Sequence, residues 1–216
     1  MVAVPIKPEY GPTLGRLLSP RWRAASPLAR GLVRVGVLGL IALLIGIFLT
    51  LENAHYSQGG RTPFGFSYRG LYRASPDPGE FVKLERHRSD GRLEDAYAVE
   101  PLTLPPYSGG QTGELALYAA GYIDQLRASD RDFVLRGEGK TRVNAVPAYQ
   151  VVYTTSLDGQ EMYGRNVLLL PQRPRARHGV KIVMLTSPTA NAQVTSPLEV
   201  ASEGVLLRPL KTFTLG

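Results

Sequence analysis

Gly139-Lys140-Thr141 carries the ending of a phosphate-binding loop. In such a loop, backbone N–H groups cradle the phosphates, the lysine reaches them and the hydroxyl holds magnesium. The motif also needs an earlier glycine, and Val134 stands in its place. It must open a helix, whereas RVNAVPAYQVVY continues with strand-forming residues, so a phosphate could not be cradled there. The chain has three histidines, His55, His87 and His178, and no G-x-S-x-G elbow accompanies any of them. His55 has no ligand or base at useful spacing, and His87 stands between Arg86 and Arg88, which would depress its pKa if they were close. Asp130 and Asp132 lack the glycine and ligand spacing of a calcium loop and read as a turn leaving a helix. The absence of cysteine excludes disulfides, thiolate metal sites, a thiol nucleophile and thioether lipidation. No catalytic residue, cofactor or metal is therefore expected, and the chain reads as a non-enzyme.

Binding chemistry is better represented. PQRPRARH places Arg173, Arg175 and Arg177 on one stretch without an acid, suited to contact with an anion or a partner. Of the many tyrosines, Tyr68, Tyr72, Tyr118 and Tyr122 are candidates to line a cleft, since a ring with a hydroxyl serves recognition as well as packing. Glycines 109 and 110, ahead of a helical period, read as a turn.

Position comes from the run VGVLGLIALLIGIFLTL, Val35 to Leu51, which carries no charge. As a helix it covers about 25 Å, and residues 31–51 suffice for one transmembrane helix. Lys7, Arg16, Arg21, Arg23, Arg30 and Arg34 precede it against Glu9, so most of the formal +7 charge lies ahead of the run. That asymmetry predicts an uncleaved signal anchor with a cytoplasmic amino terminus and an extracytoplasmic carboxyl-terminal domain. It also explains the high pI without nucleic acid. Gly36, Gly39, Ala42 and Gly46 are the small residues through which the span could pack on another helix. Residues 1–30, rich in proline, read as a disordered basic leader, and 52–63, with Gly59-Gly60, as a flexible tether.

Residues 64–216 form the expected domain. Short apolar runs begin at Phe64, Phe81, Ala96, Phe133, Val143, Met162 and Val180, with Asp158-Gly159 as a hairpin turn. Between them, Leu115, Tyr118, Ala119, Tyr122 and Leu126 recur at helical spacing, with Thr112 as the N-cap. Ser196-Pro197 opens a second helix through Leu206, stopped near Pro209. The fold class is α+β: an antiparallel sheet of about six strands flanked by helices, preceded by the transmembrane helix.

The order of PFGFSY, a central helix, GEGKTRVNAVPAYQVVYTT, DGQEMYGRNVLLLP, GVKIVMLTS and a terminal LKTF resembles the PsbP-like domains, including LpqN-type cell-envelope proteins. The resemblance covers about residues 64–216. It implies an antiparallel sheet sandwiched by helices and a role in binding or assembly, and it differs from LpqN-type lipoproteins by having a span in place of the lipidated cysteine. Arginine far outnumbers lysine, as in a GC-rich bacterial genome. The expected protein is thus a single-pass module of the bacterial cell envelope that binds or scaffolds. Its partners would be the lipid bilayer and another envelope protein or small ligand, not nucleic acid, and a homo-oligomer has no support in the sequence. Alternatives are an envelope hydrolase or transferase whose site assembles only in three dimensions, and a subunit of a membrane complex assembled through the span.

Overall fold

The computed structural model describes residues 26–50, 54–106, 111–173, 175–189 and 194–216. The chain divides into two units, residues 1–52 and 53–216. In the first, helix α1 spans Pro27–Thr50. It starts earlier than the apolar run because proline suits the first turn of a helix, where its missing N–H has no intrahelical partner. Among the described residues no helix is long and apolar enough to cross a membrane. The side chains of residues 44–50 lie outside that description, as do residues 1–25, on which the expected leader falls.

In the second unit, β3 (Tyr72–Ala74), β4 (Val82–His87), β5 (Leu93–Thr103), β6 (Val134–Val143), β7 (Val146–Leu157), β8 (Gln160–Leu169) and β9 (His178–Thr186) form one sheet in the order β3-β4-β5-β9-β8-β7-β6. A second sheet holds β1 (Ala54–Gln58), β2 (Phe64–Tyr68) and β10 (Thr214–Leu215) in the order β1-β2-β10. Every pairing is antiparallel. The β7–β8 turn is the expected Asp158-Gly159, with φ of 51° and 75°, the left-handed pair whose twist matches a hairpin.

Alternation along the inner strands gives two cores. In β8, Val167 and Leu169 enter one core while Leu168 enters the other. Both faces are buried, which is why VLLL, residues 167–170, is an unbroken apolar run. On one face lies α2 (Gln111–Ser129), whose Leu115, Ala119 and Ile123 share a core with Val151, Tyr153 and Leu168. On the other, Phe64 and Phe66 from β2 join Phe213 and Leu206 over Leu84, Tyr97, Ile182 and Met184. The Phe66 and Tyr97 rings lie 5.0 Å apart, tilted, and those of Phe64 and Phe213 lie 5.5 Å apart, stacked. Gly164 makes room for the Tyr153 ring, which a Cβ there would meet at 2.3 Å.

Several expectations are corrected. The large sheet has seven strands, not about six, and the aromatic opening strand belongs to a separate sheet. Residues 54–63 do not serve as tether. Ala54–Gln58 pairs with Phe64–Tyr68, and Gly59-Gly60 lies in the hairpin loop between them. The run from Val143 is broken by Asn144 and Ala145, with φ of 45° and 66°, so β6 and β7 form a hairpin. Helix α2 begins before Thr112, which is therefore not its cap. The second helix is reduced to a 3-10 turn, Pro197–Glu199, with the expected Ser196 cap. Ala201 and Gly204 at φ of 61° and 73° prevent its continuation, and α3 forms only over Leu207–Lys211.

Candidate binding cleft

The register places residues of neighbouring strands in rows on the α2 side of the large sheet. One row runs Tyr72, Glu85, Ala96, Leu185, Gly164, Tyr153. The next runs Ala74, Lys83, Ala98, Val183, Asn166, Val151. Helix α2 packs on β6, β7 and β8. The other half of this face carries the charged residues of β4. Lys83 Nζ donates to Asp77 Oδ2 at 2.9 Å and lies 3.1 Å from Glu85 Oε1, and Glu85 Oε2 is 2.9 Å from His87 Nε2. Lys83, Glu85 and His87 recur at every second position of VKLERH, so one strand face gathers all three.

At the end of this face, the β4–β5 and β7–β8 hairpins border a cleft of about 410 Å³. Glu85, His87, Asp90 and Arg92 give it polar walls, and Leu157 and Met162 supply apolar surface. Gln160 ties the hairpins together by donating to the Leu93 carbonyl at 3.1 Å. His87 Nδ1 lies 3.1 Å from the Gly91 carbonyl. Both ring nitrogens thus face acceptors, an arrangement that only the doubly protonated ring satisfies. The imidazole pKa is raised, by Glu85 first and by the Gly91 carbonyl second. This overturns the expected influence of Arg86 and Arg88, since strand alternation turns residues 86 and 88 away from the side shared by 85 and 87. An imidazole with both nitrogens engaged has none left to accept a substrate proton.

The pH consequence follows from the sign of each shift. A raised pKa for His87 means that its stabilisation is complete below the ordinary value of 6.5 and is lost as pH climbs through the higher folded value. For Glu85, burial would raise the pKa, but hydrogen bonds from His87 and Lys83 outweigh it and hold it below 4.5. Its stabilisation is present above 4.5 and lost as pH falls through the folded value. His87 is 46% exposed on its side chain, so solvent screening keeps its share below about 1 kcal/mol. In urea titrations, the stability gap between the parent chain and His87→Ala should shrink as pH rises past 6.5. A gap constant with pH contradicts the paired imidazolium.

The four candidate tyrosines do not meet in one cleft. Tyr68 is buried in the core beneath the small sheet, where its hydroxyl accepts from Arg73 Nε at 3.2 Å. Tyr72, 73% exposed, stands on the edge strand β3. Tyr118 and Tyr122 stack on α2 with centroids 6.3 Å apart. Burial raises the Tyr122 pKa, and Asn166 Nδ2 donates to its hydroxyl at 2.7 Å. Lys181 Nζ sits 4.7 Å above the Tyr122 ring and 2.7 Å from Glu100. Arg173, Arg175 and Arg177 are exposed on the β8–β9 loop, away from the Glu85–His87 pair. In α1, a Cβ at Gly36 or Gly39 would meet nothing within 4 Å, Ala42 is exposed, and the surroundings of Gly46 lie outside the description.

The remaining histidines are placed otherwise. His55 Nδ1 approaches Ser67 Oγ at 3.4 Å across β1 and β2. His178 Nδ1 lies 3.3 Å from Thr103 Oγ1. Among the described residues no three metal-ligating side chains converge. Asp130 closes the turn after α2, accepting from the Asp132 N–H at 2.9 Å and from the Thr155 hydroxyl. The sequence reading overlooked the Lys83, Glu85 and His87 face, although the alternation in VKLERH was a sufficient signal.

No family model matches the chain, and no curated protein matches it. Among solved structures it is similar to the solution structure of cyanobacterial PsbP, CyanoP, from Synechocystis, at 15% identity and a TM-score of 0.50. That match covers 77% of this chain and 94% of the other. A Pseudomonas aeruginosa protein of unknown function, described as a putative regulator, aligns at 13% identity and a TM-score of 0.37 over 56% of this chain and 85% of its own, too distant to bear on the fold. The PsbP-like fold is thereby supported for the second unit, as a likeness of architecture.

Proposed function

We propose that the chain is a single-pass protein of the bacterial cytoplasmic membrane. Its PsbP-like domain faces outward and works as a non-catalytic binding or scaffolding module of the cell envelope, as in LpqN-type proteins. The observation that carries the anchor is the apolar surface of α1. Val35, Val37, Leu38, Leu40, Ile41 and Leu43 are 47% to 68% exposed, on all sides of the helix. An uncovered helix that is apolar all round is at home in lipid. The described part of α1 alone does not make an apolar span, so the reading also draws on the uncharged sequence that runs on to Leu51. The basic residues ahead of it set the direction of insertion.

The binding role rests on the polar cleft and on the way His87 is held. With both nitrogens of His87 engaged by Glu85 and Gly91, the cleft offers hydrogen bonds to a ligand but no free imidazole base. The expected ligand is small and polar, taken up between the two hairpins. Extraction of cell membranes with alkaline carbonate tests the anchor. The chain should stay with the lipid pellet, and its release into the supernatant would overturn the reading.

A further inference from the structure

The chain enters the second unit at Ala54, which pairs with Tyr68 at the end of β2. Basic side chains gather at that end. Arg69 follows Tyr68 directly, and Arg73 donates to the Tyr68 hydroxyl and lies with its guanidinium 5.3 Å from the Tyr56 ring centroid. Thr212, at the end of α3, accepts from the Ser67 N–H at 2.9 Å and donates to the Arg208 carbonyl at 2.9 Å, which brings Arg208 and Lys211 to the same edge. Val205 closes the group, 3.2 Å from where a Gly70 Cβ would stand. Arg69, Arg73, Arg208 and Lys211 are all exposed, and none forms an ion pair with another described residue. Glu203 is the acid nearest in sequence within the described part of this end, and Glu52 lies outside it. Tyr72, though 73% exposed, pairs with Glu85 in register and faces the other side of the sheet from Arg73.

We infer that this edge, formed by Arg69, Arg73, Arg208 and Lys211, is a docking surface for anionic phospholipid headgroups. The inference rests on the membrane-anchored reading above. From Thr50 to Ala54 the chain takes four residue steps, which reach at most about 14 Å. A chain that leaves the bilayer at the end of α1 must therefore enter the domain near the headgroups. Guanidinium groups donate paired hydrogen bonds to phosphate oxygens. Each basic side chain near an anionic surface raises occupancy about five-fold. The anchor fixes where the domain is, and the basic edge fixes which way it faces.

The absence of native cysteine allows single-site labels. Ser202→Cys lies at the basic end, whereas Gly59→Cys lies beyond the far end of β1, about 17 Å further along the strand. The full chain is reconstituted in vesicles of phosphatidylcholine, with and without phosphatidylglycerol, carrying a lipid-borne quencher. The label at 202 should be quenched several-fold more than that at 59, and more strongly with phosphatidylglycerol. Arg69→Gln, Arg208→Gln and Lys211→Gln together, which keep the Arg73 bond to Tyr68, should abolish the phosphatidylglycerol dependence while circular dichroism stays unchanged. Equal quenching at both sites in vesicles that retain the protein after alkaline carbonate overturns the docking surface and leaves the anchor standing. Release by carbonate with phosphatidylglycerol-dependent quenching at 202 overturns the anchor and keeps the surface.

Discussion

Asp95→Ala should destabilise the domain by about 3 kcal/mol, read as a fall in the urea midpoint of the detergent-solubilised chain. Asp95 is fully buried on the core side of β5. Its Oδ2 accepts from Arg86 Nε at 2.8 Å and lies 2.6 Å from Nη2, while its Oδ1 accepts from the Thr186 hydroxyl at 2.7 Å. Removing one member of a buried pair leaves the other charge poorly solvated, a loss of about 3 to 5 kcal/mol. The lower end applies because Glu94 stays 3.1 Å from Arg86 and the Arg86 side chain is 30% exposed. Glu94→Ala is the control, since a pair nearer the surface contributes about 0 to 1 kcal/mol. Equal losses from the two substitutions would contradict the structural role given to Asp95.

Gly179→Ala should cost about 3 kcal/mol, the upper end for overpacking, and lower the melting temperature accordingly. Gly179 sits opposite Leu102, where β9 begins between β5 and β8. A Cβ there would fall 2.0 Å from the Leu169 carbonyl oxygen and 3.0 Å from its carbon. The obstacle is backbone in a central strand, which no rotamer change relieves, so the β8–β9 pairing must part. Gly121→Ala should go the other way, adding about 0.5 to 1 kcal/mol, because that helix position opens onto space. A neutral Gly179→Ala would mean that β9 does not lie where the register puts it.

Local chemistry made part of this fold readable in advance. Asp158-Gly159 can take two left-handed residues cheaply, so its hairpin was evident, and the period of α2 was evident from Leu115 to Leu126. Asn144-Ala145 performs the same turn with an alanine at φ of 66°, a conformation alanine does not advertise, and the break between β6 and β7 went unread. The second sheet was hidden because AHYSQ has no apolar alternation of its own. Tyr56 packs at the margin of the core, and the strand is held by pairing with FGFSY. The end of the chain misled in the same way, since LEVASEGVL has helical spacing but places Ala201 and Gly204 in left-handed conformations.

The site was less legible than the fold. His87 was weighed against its neighbours in sequence, Arg86 and Arg88, although in a strand the next residue on the same face is two away, and that residue is Glu85. Tyr68, Tyr72, Tyr118 and Tyr122 look alike in the sequence, but strand parity sends Tyr68 into the core and leaves Tyr72 on an edge. The pairing of Lys181 with Glu100, and its seat over Tyr122, joins residues from three elements and leaves no mark in any one stretch.

The central claim is that α1 holds the domain outside the cytoplasmic membrane, and labelling with a membrane-impermeant maleimide in intact cells tests it most directly. With cysteine introduced one site at a time, Gly59→Cys should react in intact cells and Ala3→Cys only after the membrane is permeabilised. Reaction at Ala3→Cys in intact cells, with Gly59→Cys protected until permeabilisation, would contradict the account.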